Sequence, residues 1–374
     1  MAEKQALGSA QSRLAVVTAP DEAWDSGAFR ARIQVTLDEF VDEQARRLEP
    51  LGKDAARLMA EARSSITGGK RLRAAFCFWG FKAVRERAEN EQGLVRAAAA
   101  LELLHASALV HDDYMDASDV RRGRPATHKV LEASHRGHGW KGDPEQYGAA
   151  GAILLGDLLL CWSDELLRNC GLDHPVVRKG LDLYDATRSE VITGQFLDVS
   201  SQARGKSDVE TAMTVLRYKS AKYSIERPLH IGAALAGAGP EIQQALSGFG
   251  LPLGEAFQLR DDLLGVFGDS EVTGKPAGDD LSEGKRTVLV ALAVDRAPTR
   301  DAAVLDDLLG HALGAEDVRE LRRIIEDSGA HAAVETMIDE LTSRSLEALK
   351  QAPVTPVARG VLRALATAAT QRVL

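Results

Sequence analysis

The chain has 374 residues, 45% of them hydrophobic and 5% aromatic, with a formal net charge of −9. The acidic balance excludes nucleic acid as a general partner, because a phosphate backbone wants a basic face. Three scattered cysteines, Cys77, Cys161 and Cys170, make no disulfide framework and read as reduced, buried thiols of a cytoplasmic protein.

Residues 1–25 read as a mobile tail, and their opening MAEKQALGSAQSRLAVVTAP holds no apolar run of signal-peptide length. From 26 to 374 helical periodicity hardly stops, and β-branched alternation is nearly absent. One all-α domain, a single large helical bundle, is therefore expected. A helix is predicted over 29–50. GGKRLR follows at 68–73, where two glycines let the backbone approach a ligand closely and Lys70, Arg71 and Arg73 supply charge. Residues 91–116 form a long Ala- and Leu-rich helix that ends in Asp112, Asp113 and Asp116. Arg121 and Arg122 come directly after. SHRGHGWKGDPEQYG at 134–148 reads as a polar, glycine-rich loop. Its His135 and His138, beside Trp140, lack the further ligands that a metal would need. Helices follow over 149–171, 176–199 and 208–237, with a break at 200–207. The most apolar run, at 149–162, is cut by Asp157 and too short to span a membrane. A helix over 241–268 carries Asp261 and Asp262. DSEVTGKPAGDDLSEGKR at 269–286 is a loop with the glycines of a lid. Helices over 287–296 and 315–351 complete the pattern.

Asp112 and Asp116 are four apart and share a helix face, where like charges repel. A lone acidic triplet is more often a solvated helix end. A second cluster, at Asp261 and Asp262 toward the end of another apolar helix, shifts the balance. Two such helices facing each other would present carboxylates across a gap, and magnesium takes such oxygens while sharing its shell with substrate phosphates. Basic residues lie near both clusters: Lys70, Arg71, Arg73, Arg121, Arg122, Lys219, Lys222, Lys275 and Lys285. Any one alone is an ordinary surface charge. Acids, metal and fork-shaped bases together suit a diphosphate.

Four ordered stretches carry a resemblance: GGKRLR at 68–73, D-D-x-x-D with RRG at 112–123, GQFLD at 194–198, and QLRDDLLGVFGD with GKPAGDD at 258–280. In these the chain resembles the trans-isoprenyl diphosphate synthases of the polyprenyl synthetase family, over about residues 29 to 374. The resemblance implies an all-helical fold around a deep central cavity, a homodimer, and three magnesium ions with substrate bound. Its substrates would be isopentenyl diphosphate and an allylic diphosphate. Asp112, Asp116 and Asp261 would ligate magnesium. Arg121, Lys219 and Lys275 would grip the allylic diphosphate, with Ser220 and Gln258 beside it. Lys70, Arg73, His105 and Arg122 would hold isopentenyl diphosphate. Gln195 and Asp198 would support the first acidic motif.

The chain departs from the family pattern at Gly265, where the second motif usually ends in a third aspartate. Leu104, Ser107 and Ala108, one to two turns before Asp112, would form the floor of the product tunnel. No aromatic blocks that face, so geranylgeranyl diphosphate is the expected product, with a longer chain as alternative. A class I terpene cyclase would show an N-x-x-x-S-x-x-x-E metal motif and would not need GGKRLR. A non-catalytic partner subunit should have lost aspartates from the first motif, and this chain keeps them.

Overall fold

Asn90 starts the helix that organises the molecule. Its side chain accepts a hydrogen bond from the Gly93 amide at 2.8 Å, an N-cap that satisfies one orphan donor. The computed structural model describes residues 26–206, 208–268 and 278–371. Before this helix come α1 (Ser26–Leu48), α2 (Lys53–Ser65) and α3 (Leu72–Val84). The capped helix is α4 (Glu91–Met115), packed against α1, α3 and α6 (Pro144–Arg168). By length and composition α4 could cross a membrane, but 78% of its most apolar window is buried inside the protein. It is a core helix, and it, not 149–162, holds the most apolar long run. Its polar end delivers Asp112 and Asp116 to the edge of that core.

The expected all-α architecture holds. The exception among the described residues is a two-stranded ribbon, β1 (Val120–Arg121) with β2 (Arg124–Pro125). Arg122 and Gly123 turn it, both at positive φ (53° and 72°), as tight hairpins require. The core falls into two apolar clusters. The larger runs through α1, α3, α4, α6, α9 (Arg227–Leu235) and the last helices. The smaller joins the second half of α10 (Pro240–Phe267) to residues 281–341.

Several predicted boundaries move. The 134–148 loop is mostly helix: α5 (Thr127–His138) reaches into it, and α6 begins at Pro144. Asp143 caps α6 through the Glu145 amide at 2.9 Å and Pro144 fills the first helical position, so only 139–143 turn. His135, His138, Tyr147 and Trp140 pack ring on ring there, with Arg57 over Trp140, which accounts for the histidines as packing. The 200–207 break is also shorter than expected, because α7 (His174–Arg204) runs on to the left-handed Gly205. Gly329 at φ 75° splits 315–351 into two helices. Cys161 is exposed on α6, whereas Cys77 and Cys170 are buried as expected. The tail expected over 1–25 lies outside the described residues.

Helix α3 crosses α9 at two glycines. A Cβ on Gly232 would overlap the Cys77 carbonyl oxygen, and one on Gly80 would overlap that of Leu229. Backbone cannot yield there as a flexible side chain could. Gly232→Ala is therefore expected to destabilise the fold by roughly 3 kcal/mol, the upper range of overpacking. A thermal melt indistinguishable from wild type would contradict this crossing.

Candidate active site

Helix α4 ends where three other segments meet. One is Gly194–Asp198 of α7. Another is a π-helix over Leu216–Glu226, which follows the short α8 (Val209–Val215). The third is α10, joined to α4 through Lys285, which reaches both Asp116 and Asp280, with Asp280 lying against Gly265. The π-helix is clasped on both sides. A Cβ on Gly194 would lie 2.5 Å from the Lys219 amide nitrogen, and one on Gly254 2.5 Å from the Ala221 carbonyl oxygen. These two glycines let α7 and α10 close on the segment that carries Lys219, Ser220, Tyr223 and Ser224. Such wide turns often mark functional positions.

The acidic half is threaded by two lysines. Lys219 Nζ lies 2.6 Å from Asp198 and 3.3 Å from Asp112, and the Gln195 side-chain amide donates to Asp112 at 2.9 Å. Burial raises the Asp112 carboxyl, but Lys219, Lys285 and Arg121 together hold it below the usual range. Asp116 caps α4. Burial and then the neighbouring Asp112 push its carboxyl up to about 6. Lys285 Nζ reaches Asp116 at 3.4 Å and Asp280 at 3.2 Å, and pairs with Glu283. Burial alone would lower this ammonium, yet those carboxylates and Asp112 keep it well above its ordinary value.

Across α10, Gln258 donates to Asp262 at 2.8 Å. Burial pushes the Asp262 carboxyl up to about 8, and Asp280 and Asp261 add to the push. A folded-state value above the unfolded one stabilises below the unfolded pKa and is lost as pH rises to about 8. Melting temperature is thus expected to fall as pH rises from about 4 to about 8, and Asp262→Asn should flatten that slope. An equally steep slope in the variant would contradict the assignment.

The basic half lies on the other side of His105. Arg73 donates to the Ser224 hydroxyl at 2.7 Å and lies over the Tyr223 ring, whose hydroxyl is 2.9 Å from His105 Nδ1. His105 titrates well below its usual value, first through desolvation and then through the field of Arg73, Arg122, Arg121 and Arg71. Four guanidinium groups around a neutral imidazole are an anion site by their electrostatics. Arg122 is anchored by a hydrogen bond to the Thr67 carbonyl at 2.9 Å, and Lys70 is exposed beside it. Arg121 donates through Nε to the buried Asp113 at 2.7 Å. Arg71 is internal: it donates to Gln34 at 2.6 Å and pairs with Glu102.

The structure thus gathers Asp112, Asp116, Lys219, Ser220, Gln195 and Asp198 at one end. Arg73, His105, Arg121 and Arg122 stand close by. Asp261 and Gln258 project from α10. Lys275 lies outside the described residues. Lys222 is bound instead to Glu190 at 2.8 Å. Leu104 and Ser107 are buried on α4, and Ala108 is half-buried against the core. Asp280 and Tyr223 were missed as site residues, and Lys285, noted among the basic residues near the clusters, was given no role. For Lys285 a signal existed, since EGKR at 283–286 echoes GGKR at 68–71.

Among the described residues no three His, Cys, Asp or Glu side chains converge to hold a metal unaided. That suits magnesium, which takes one or two carboxylates and completes its shell with water and phosphate. The residues fit such an ion. Asp116 Oδ1 is buried with no hydrogen-bond partner, and the donors are all hard oxygens.

A polyprenyl synthetase family model matches residues 56–327. The chain is 40% identical to a crystal structure of geranylgeranyl pyrophosphate synthase from Corynebacterium glutamicum, complexed with isoprenyl diphosphate and magnesium. That likeness covers 94% of this chain and 100% of that one, at a TM-score of 0.91. It is 34% identical to a geranylfarnesyl diphosphate synthase of Aeropyrum pernix, over 76% of this chain and 84% of the relative. With a geranylgeranyl diphosphate synthase of Methanosarcina mazei it shares 35% identity, over 72% and 75% respectively.

Proposed function

The chain belongs to the polyprenyl synthetase family, and from that premise we propose that it joins isopentenyl diphosphate to an allylic diphosphate and releases geranylgeranyl diphosphate. It is a prenyltransferase. The observation that carries the reading of the site is its division into two halves. Carboxylates bridged by lysines face a cluster of arginines around neutral His105, so one half suits a magnesium diphosphate and the other a bare one.

In the acidic half Asp112, Asp116 and Asp261 would hold magnesium, three ions in all with substrate bound. The metal, when bound, neutralises charge on the departing diphosphate and so eases cleavage of the allylic carbon–oxygen bond. Asp198 and Gln195 keep Lys219 and Asp112 in place, so that Lys219 meets the same diphosphate. Arg73, Arg122 and Lys70 grip isopentenyl diphosphate and set its double bond toward the allylic carbon. Tyr223 and the Ser224 hydroxyl fix Arg73. The apolar face of α4 keeps water from the allylic cation. The proton lost from the new chain passes to the released diphosphate. Exposed apolar side chains on α6 and α7, among them Leu154 at 61% and Phe196 at 68%, support pairing with a second copy.

Purified protein with magnesium and labelled isopentenyl diphosphate, offered dimethylallyl, geranyl and farnesyl diphosphate in turn, tests the proposal. A twenty-carbon diphosphate is expected. A twenty-five-carbon product, favoured by the geranylfarnesyl relative, would keep the reaction and replace the product. No condensation with any starter would overturn the reading.

A further inference from the structure

Asp112 and Asp116 stand four residues apart on α4. On α10 the matching place after Asp261 is Gly265, which brings no side chain. The space above it is nevertheless taken. A Cβ on Gly265 would overlap Asp280 Oδ2 and lie 2.5 Å from Asp280 Cγ. Asp280 therefore lays its carboxylate against the Gly265 Cα, where a side chain of residue 265 would leave the helix.

Asp280 comes from a different segment, the short helix Asp279–Ser282 that we label α11. That segment is seated by its own backbone: Lys285 N–H donates to Asp280 O at 3.0 Å, and Gly310 N–H to Leu281 O at 2.9 Å. The Asp280 side chain is only 15% exposed. Lys285 Nζ, 3.2 Å from Asp280 and 3.4 Å from Asp116, ties it to the first acidic cluster. The Asp116 side chain is 2% exposed and aims into this group with an Oδ1 that has no partner. Two carboxylates held around one ammonium, one of them with an orphan oxygen, are arranged for a further cation.

We propose that Asp280 supplies, from α11, the carboxylate that Gly265 lacks, and that it binds magnesium together with Asp261. The inference rests on the magnesium diphosphate reading above. It explains why a glycine is accommodated at 265: the position is filled from across the fold, and any side chain there would collide with the residue that replaces it.

Four proteins test this: wild type, Asp280→Ala, Gly265→Asp and the double variant. Magnesium is titrated calorimetrically in the presence of inorganic diphosphate, and melting temperatures are read in parallel. Asp280→Ala is expected to weaken magnesium binding about tenfold or more. Gly265→Asp alone should lower the melting temperature, because two carboxylates compete for one space. The double variant should regain both the melting temperature and magnesium binding to within about threefold of wild type, the non-additivity of groups that share a site. Unchanged binding in Asp280→Ala would overturn the proposal. So would weakened binding that the double variant, folded by circular dichroism, fails to restore, since Asp280 would then serve only to pair Lys285. If wild type binds magnesium diphosphate but condenses no starter, the proposed function fails instead.

Discussion

Asp112→Asn is expected to lower the turnover number by on the order of 10³-fold while leaving the helical fold intact, the scale seen when one preorganised electrostatic group is removed. Asp112 has two jobs. It would ligate magnesium, and it sits 3.3 Å from Lys219 as the acceptor of Gln195 at 2.9 Å. The amide keeps the size and one acceptor oxygen, so packing around α4 should hold. It loses the negative charge that balances Lys219. Asp198 still holds that lysine at 2.6 Å, which limits the structural damage. Steady-state rates with labelled isopentenyl diphosphate, beside circular dichroism melts, check this. A variant with near wild-type turnover would remove Asp112 from the metal site.

Ala108→Phe is expected to shorten the main product from twenty carbons to fifteen. Ala108 lies one turn before Asp112, about 6 Å along the α4 axis. Its half-buried methyl packs against the core where a growing chain would pass. A phenyl ring there would close the path after farnesyl diphosphate has formed. Asp112 lies a turn beyond the change and the arginines of the basic half come from other segments, so the rate of the first condensation should stay within about tenfold, as for a substitution that alters only shape. Chromatography of the labelled products reads the outcome. An unchanged twenty-carbon product from a folded variant would place the floor on another helix or on a second copy of the chain.

Local pattern carried much of the architecture. The apolar run from Glu91 and its acidic end showed α4 almost to the residue, and the run before Asp261 showed α10. Both follow from a 3.6-residue period that any window of two turns displays. Caps were harder to read. The turn between α5 and α6 hid behind the glycines of 134–148, because Asp143 and Pro144 start a helix through one hydrogen bond and one fixed φ. The four ordered motifs, and through them the chemistry, were legible because they lie in short stretches of unusual composition.

The tertiary structure decided what those residues meet. Nothing near Lys285 in the chain says that it reaches Asp116, which lies on a helix from the first half of the sequence. Nothing at Gly265 announces Asp280. For His105 the motifs implied a place in the site, but only the fold shows that burial first, and then Arg73, Arg122, Arg121 and Arg71 from two other segments, hold it neutral. Periodicity encodes which face a helix buries. The field at a site is a sum over charges from helices whose approach depends on packing, here on Gly194 and Gly254 letting α7 and α10 close on the π-helix. The sequence alone therefore determined the all-α class, the main helices and the reaction family. Which charges neutralise one another was left to the fold, because Coulomb energy depends on distance in space and not on separation along the chain.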